Sequence, residues 1–374
     1  MKFGGCVPSA LILVLGGYSL VVADQSGLGP EVIAATSPLS FTSQQRVEVH
    51  IAQCIDALNE ATSPHDIKQA RACLTDPMRN PDRTDHFLSE YVKRLADQLY
   101  QVAATSKQRH AIRMNTMIVI SEVANIFDML GKPMIGDQND KIDKSIIALL
   151  EMGLQDDSPA VRYWAAKAAA LRKSYEHVKN EEQKKLLLLL AEVAKNASSS
   201  DVLKQCFIAI NKLVIPDADV FVVNLLNHRA NMLQHDLNQP LVGEIEGLRI
   251  YYLKLVKKEA SGKALISSNT KKQLSRSAYL LMIVTINALV DTVVEVDNRS
   301  DHKAMISLAD TILNWTVHGH GSRAEIEARV ENENWDILKL ECQKWLEDLC
   351  GHFDFQPAEL EVGGQNWQGS SVQG

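Results

Sequence analysis

Asp157-Ser158-Pro159-Ala160-Val161-Arg162, continued by Ala165, Ala166, Ala168 and Ala169, is the stretch whose reading decides the fold. It has the form of a helix opening. Ser158 stands where a hydroxyl can cap free N–H groups, Pro159 supplies the fixed φ of a first turn, and Asp157 puts negative charge at the positive helix end. Beyond the opening, Val161, Ala165 and Ala169 recur every four residues and make one stripe of small side chains. Such a stripe lets a second helix approach to roughly 8–10 Å.

The pattern repeats. Val161 aligns with Val202 forty-one residues on and with Val242 forty beyond that, while Ile112 lies forty-nine before. Thr116, Ala165 and Cys206 fill the fourth position, and Ile120, Ala169, Ile210 and Ile250 the eighth. In the last copy Glu246 takes the small-residue slot, which predicts a slight turn of that helix onto Ile245. Asn238 ahead of Pro240 repeats the cap-then-proline opening. Periods near forty, with two helical patterns in each, are the signature of stacked helical hairpins.

On these residues the chain resembles the HEAT-repeat family: Asp157, Pro159, Val161, Arg162, Ala165 and Ala169 look like the second-helix consensus of that repeat. In the family the aspartate and arginine often form a ladder between repeats. Here the arginine recurs only at Arg113 and Arg162, with Leu203 and Gly243 in its place later, and Gln108, Ser198 and Asn238 replace the aspartate. The resemblance implies an all-α fold of the armadillo type, an α-solenoid of about seven stacked helical hairpins. It implies no particular function.

The hairpins are predicted at 43–61 with 64–75, 84–104 with 107–130, 139–154 with 158–173, and 181–196 with 200–214. Three more follow at 217–236 with 240–259, 271–296 with 301–318, and 323–331 with 334–350. Leu88, Tyr91, Leu95, Leu99 and Val102 show the helical period most plainly. Asp76-Pro77, Gly131-Lys132-Pro133 and Ser261-Gly262 read as breaks, and Gly351 as a helix stop. Residues 24–42, rich in Ser, Gly, Pro and Thr, read as a flexible linker; 43–355 hold the array, and 356–374 form a disordered tail carrying Trp367.

With 374 residues, 46% hydrophobic and 23% charged, the chain can bury a large interior, and only 6% of it is aromatic. Strand alternation is hard to find, so the class is all-α. Residues 1–23 have the form of an export signal: Lys2, an apolar run from Ala10 to Leu15, and Val21-Val22-Ala23 ahead of Asp24. The chain is therefore expected in the periplasm or outside the cell, cleaved near Ala23-Asp24. The formal charge of −7 disfavours nucleic acid and provides no polybasic membrane patch. Ala278 to Val290 contains Thr285 and Asn287 and reads as a buried helix rather than a membrane span. Leu186 to Leu190 is apolar all round and should be covered on both faces.

Cys342 and Cys350 stand eight apart on one helical pattern and cannot pair if that helix is continuous. Cys54 and Cys73 flank Thr62 and Pro64 evenly, so a hairpin brings them level; whether they pair or stay as small buried hydrophobes is open. His318-Gly319-His320-Gly321 offers two imidazoles without an evident third ligand, and His228 with His235 are a weaker pair. Asp137, Asn139, Lys141 and Asp143 sketch a calcium loop that fails at Lys141 and Ile142. No phosphate loop, nucleophile elbow or zinc-protease helix is present. No metal or other cofactor is expected.

The favoured reading is a noncatalytic scaffold that holds a protein or peptide partner on the concave face lined by second helices. Arg113, Arg162, Lys167, Lys204 and Arg249 lie off the packing stripes and are the candidate partner-binding residues. Their alternative role is solvated charge, or salt bridges between repeats for the two arginines named first. Two other readings are a structural spacer of the cell envelope and an enzyme. Some proteins resembling HEAT repeats are glycosylases or lyases, and Trp164, Cys206 and Glu244 would be the residues concerned here.

Overall fold

The computed structural model describes residues 28–106, 109–129, 139–171, 178–215, 218–233, 235, 239–262, 267–291, 294–319 and 324–360. The expected export signal, His320, Gly321 and Trp367 lie outside them. Among the described residues the protein is entirely helical, with fifteen α-helices and no strand. They are α1 (Pro30–Ile33), α2 (Phe41–Glu60), α3 (Pro64–Arg79), α4 (Asp85–Thr105) and α5 (His110–Met129). Then come α6 (Asn139–Leu154), α7 (Pro159–Leu171), α8 (Asn180–Lys195), α9 (Ser200–Lys212) and α10 (Ala218–Leu233). The last are α11 (Val242–Ala260), α12 (Ser268–Val290), α13 (Arg299–His318), α14 (Ala324–Glu331) and α15 (Trp335–Phe353). Contacts divide the chain into two units, 1–149 and 150–374, and the division falls within α6.

In unit 1 the caps are hydroxyls. Ser40, Ser63 and Thr84 accept the backbone N–H of Ser43, Asp66 and Phe87 at 3.2, 3.1 and 3.3 Å. Helix α2 packs on α3 and α4, and α5 on α3 and α4. Their shared core is wholly buried Val47, Ile51, Leu74, Phe87, Tyr91 and Leu95. Residues 30–39, within the stretch expected to be a flexible linker, are anchored: Val32, Ile33 and Leu39 are buried. Thr84 ties the segment down, its N–H bonding the Ile33 carbonyl at 3.1 Å and its hydroxyl that of Ala35 at 2.5 Å.

Pro77 was expected to end α3 but sits inside it, and the helix runs on to Arg79. A proline lacks the N–H that would bond the carbonyl four residues back, here that of Cys73. His50 Nε2 reaches that carbonyl from α2 at 3.2 Å instead. The helix continues because the freed acceptor has another donor.

Unit 2 packs alternate helices on one another. Helix α9 lies between α7 and α11, and α10 between α8 and α12. Val161, Ala165, Ala169, Leu203, Cys206 and Ile210 are buried in the first of these rows. The expected use of Val242 and Ile245 in the last copy is corrected by the structure. Val242 is 37% exposed, and close approach falls to Gly243 and Gly247. A Cβ on Gly247 would lie 2.5 Å from the Phe207 ring, and one on Gly243 2.8 Å from the Ser200 carbonyl oxygen. With Gly243 in register both repeat steps become forty-one residues, and the small side chains form a continuous series.

Helix α12 is the one described helix long and apolar enough to cross a bilayer, and 78% of its apolar window is buried inside the protein. Its neighbours are α10, α13 and α15. Its polar groups bond within the helix or to neighbours: Ser275 Oγ donates to Thr316 Oγ1 at 2.8 Å and Thr285 Oγ1 to the Leu281 carbonyl at 2.6 Å. Two expectations fail nearby. Leu188, in the run thought covered all round, is 50% exposed. Helix α15 passes through Gly351 to Phe353, and Asp354 at φ 55° takes the left-handed position that ends it. Beyond it, the described residues of the tail form a short 3₁₀ turn at Pro357–Leu360 with Leu360 buried.

Candidate functional site

Of the five candidate partner-binding residues, three stand on successive helices of the packed row in unit 2. Lys167 is on α7, Lys204 on α9 and Arg249 on α11. In the forty-one-residue register Lys167 and Arg249 occupy equivalent positions, and Lys204 stands one helical turn earlier on the helix between them. Each lies on the flank left half-buried or exposed by the small-residue stripe, beside Tyr163, Trp164, Ile208, Ile245 and Glu246. The row therefore alternates basic, aromatic and aliphatic surface across three helices.

The local chemistry differs along it. Lys167 Nζ lies 4.4 Å from the centre of the Trp164 ring and 5.8 Å from that of Tyr163, so the aromatic quadrupoles hold the ammonium without neutralising it. Arg249 pairs with Glu246 one turn back. Its guanidinium is 53% exposed, and screening leaves little energy in such a pair. Trp164 and Tyr163 meet edge to face at 5.4 Å, which fixes the platform beneath Lys167.

Arg113 and Arg162 do something else. Arg162 Nη1 donates to the carbonyls of Asp156 and Asp157 at 2.6 and 3.0 Å, and Arg113 Nη1 to that of Ser106 at 3.1 Å. Each arginine folds back onto the turn entering its own helix and donates to carbonyls of that turn. These bonds are local.

Of the residues considered for an enzyme, Trp164 lies half-buried on this row, whereas Cys206 and Glu244 are buried. Cys206 is wholly buried and burial pushes its thiol up to about 12. Glu244 is also fully buried; Arg229 Nε donates to its Oε1 at 2.9 Å, while Oε2 has no hydrogen-bond partner. Burial raises the Glu244 carboxyl above its ordinary value, against the opposing pull of Arg229. Arg229 Nη1 also donates to the Ala197 carbonyl at 3.0 Å, so the pair ties α10 to α11 and to the loop after α8.

Among the described residues, concave surfaces also occur away from this row. In unit 2 a cavity of about 370 Å³ lies between α8 and α10, lined by Leu188, Glu192, Lys195, Phe221 and His228 among others. There burial, then the charges of Lys195 and Arg229, hold His228 below its ordinary value, with Glu192 opposing. In unit 1 a cavity of about 480 Å³ is lined by Asp97, Tyr100, Gln101, Lys144, Ser145 and Ala148. Ser145 Oγ donates to Asp97 Oδ1 at 2.5 Å across it.

Of the histidines at 318 and 320, only His318 is among the described residues. Gly319, at φ 75°, is the left-handed cap of α13 and donates its N–H to the Trp315 carbonyl at 3.1 Å, and His318 rests 5.8 Å from the Trp345 ring. Among the described residues, the one group of three metal-capable side chains is His50, Cys54 and Cys73, which sequence reading did not assemble. Cys54 and Cys73 are joined by a disulfide, with Cα atoms 5.8 Å apart, and Cys206, Cys342 and Cys350 are free. No sequence spacing connects His50 to Cys73, although one helical turn separates His50 from Cys54. No family model matches the chain, and neither does any curated protein.

Proposed function

We propose that the protein is an exported, noncatalytic binding scaffold of HEAT-like helical repeats. In this reading the helices form seven hairpins, from α2 with α3 to α14 with α15, stacked within each unit. The alternate packing of α7, α9 and α11 and of α8, α10 and α12 supports it, since each helix covers the apolar flank of the next of its kind. The observation that carries the binding role is the row of Tyr163, Trp164, Lys167, Lys204, Ile208 and Arg249. With Glu246 paired to Arg249 the row is net basic, and on α7 it is aromatic, in a chain whose formal charge is −7. Aromatic and arginine-bearing surfaces of this kind are enriched where proteins dock. The partner is an extended, acidic protein segment, recognised by charge along the row and by a side chain seated on the Trp164 and Tyr163 rings. Export follows from the residues preceding Asp24.

The test is a triple substitution, Lys167→Glu, Lys204→Glu and Arg249→Glu, alongside Trp164→Ala. Binding to an array of extended acidic peptides should fall by at least about tenfold in each variant, with an unchanged circular dichroism spectrum. Equal binding by the triple variant would remove the assignment.

A further inference from the structure

The junction of α2 and α3 holds a second feature. His50 and Cys54 are one turn apart on α2, Cys73 faces them from α3, and one donor atom from each falls within 4.8 Å of the others. His50 and Cys54 are buried, whereas Cys73 is half-buried and borders solvent. The geometry points to a metal site that opens on reduction: we propose that the Cys54–Cys73 disulfide, once reduced, binds one zinc ion through both thiolates and the His50 imidazole.

Three observations support the donor set. A zinc tetrahedron with Zn–S near 2.3 Å and Zn–N near 2.0–2.1 Å has an N···S edge of about 3.6 Å. His50 Nδ1, the nitrogen available to an ion, lies 3.9 Å from Cys54 Sγ, a little beyond that edge. The Cα separation of 5.8 Å lets two cysteines share one ion once their sulfurs part. Finally, the ring is oriented by a hydrogen bond on its other nitrogen. A carbonyl only accepts, so His50 carries its proton on Nε2 toward Cys73 O at 3.2 Å, and Nδ1 keeps the lone pair. Metal-binding histidines are generally held this way, by a carbonyl or carboxylate on the other nitrogen. Pro77 leaves that carbonyl free by lacking the N–H that would otherwise occupy it.

The chemistry balances with a dithiol reductant. The dithiol gives two electrons and two protons to the disulfide and closes to its own cyclic disulfide, leaving two cysteine thiols. Zinc then displaces the two thiol protons to solution. Water takes the fourth position on the open side at Cys73, so this is a three-ligand site. The ion replaces the covalent link between α2 and α3.

The full chain, reduced with a phosphine and desalted without oxygen, is titrated with cobalt(II) and then with zinc. One equivalent of cobalt should produce thiolate charge-transfer bands and tetrahedral d–d bands, which zinc abolishes, and zinc should raise the thermal midpoint of the reduced protein. Cys54→Ser and Cys73→Ser should remove the bands. His50→Ala should weaken cobalt binding by at least about a hundredfold, and Pro77→Ala, which restores the competing N–H, by about tenfold. The reduced wild type, uncrosslinked like the serine variants, is the reference for folding. The proposal is overturned if the reduced wild type shows no thiolate bands, or if they persist in both serine variants. Equal affinity in His50→Ala, or equal binding by the oxidised chain, would overturn it as well.

Discussion

The two units close their helix contacts by different means. In unit 1, α2 and α3 are joined by a covalent bond, and the interior holds large rings: Phe87 and Tyr91 stand 5.3 Å apart, with the Tyr91 hydroxyl donating to the Leu74 carbonyl at 3.0 Å. In unit 2, α7, α9 and α11 approach through alanine and glycine, and the strongest polar tie is the buried pair of Arg229 and Glu244. Large side chains fill space between helices held apart; small ones let backbones meet and leave little room for anything else. The first arrangement should tolerate changes of size and suffer from loss of its link. The second should tolerate neither an added methyl group nor an unmatched charge.

The largest effect should come from Arg229→Met. Removing one partner of a buried pair leaves the other uncompensated, which costs about 3–5 kcal/mol. With Glu244→Leu added, most of that loss should return, because an apolar pair of similar volume is close to neutral. Urea unfolding followed through unit 2 distinguishes the outcomes. If the single variant is as stable as wild type, the contrast between the units is mistaken. Next in size is the unit 1 link. A crosslink closing a loop of about this size contributes about 3 kcal/mol, here across a separation of 19 residues. Cys54→Ser with Cys73→Ser should speed amide exchange in α2 and α3 and leave α7, α9 and α11 unchanged.

A smaller effect sharpens the same contrast. Gly247→Ala gains about 1 kcal/mol of helix propensity, yet its methyl group must displace the buried Phe207 ring, at an overpacking cost of about 1–3 kcal/mol. The net should be a loss of up to about 2 kcal/mol by chemical unfolding. Adding Phe207→Leu should relieve the overlap and recover part of it. A stabilised single variant would mean that the contact is loose.

Much of this was legible beforehand, and the failures have physical causes. The helix positions follow from apolar period and capping residues, so most of the expected helices lie within a few residues of those observed. The third repeat was misread by one position because Val242 and Ile250 matched the apolar pattern, whereas packing selected for smallness and chose Gly243 and Gly247. Pro77 looked like a stop because the sequence does not show His50 arriving to satisfy the freed carbonyl. Arg113 and Arg162 were separable from Lys167, Lys204 and Arg249 only with coordinates, since folding back onto a turn leaves no trace in spacing. The His50, Cys54 and Cys73 group needed both helices in place. The sequence related Cys54 to His50 by one turn and to Cys73 by the hairpin, but nothing in it joined all three.

The smallest effect concerns pH and a part of unit 2 without the buried pair's stringency. Glu341 on α15 accepts from Arg329 Nη1 on α14 at 2.5 Å and from Lys344 Nζ at 2.9 Å. Burial acts to raise its carboxyl, but those hydrogen bonds and positive charges more than offset it and leave the group below its ordinary value. A carboxylate that holds its proton less readily when folded than when unfolded contributes stability fully above the ordinary carboxylate range. That contribution drains away as pH falls through the folded value. Glu341→Gln should therefore lower stability at neutral pH and flatten the acid limb of the stability profile. The opposite charge state rules Glu244, whose raised value means its ionised form is disfavoured by folding, so acidification relieves that position while it weakens Glu341. Unfolding curves of wild type and Glu341→Gln that stay parallel from neutral pH into the carboxylate range would show that the pair is too well solvated to matter.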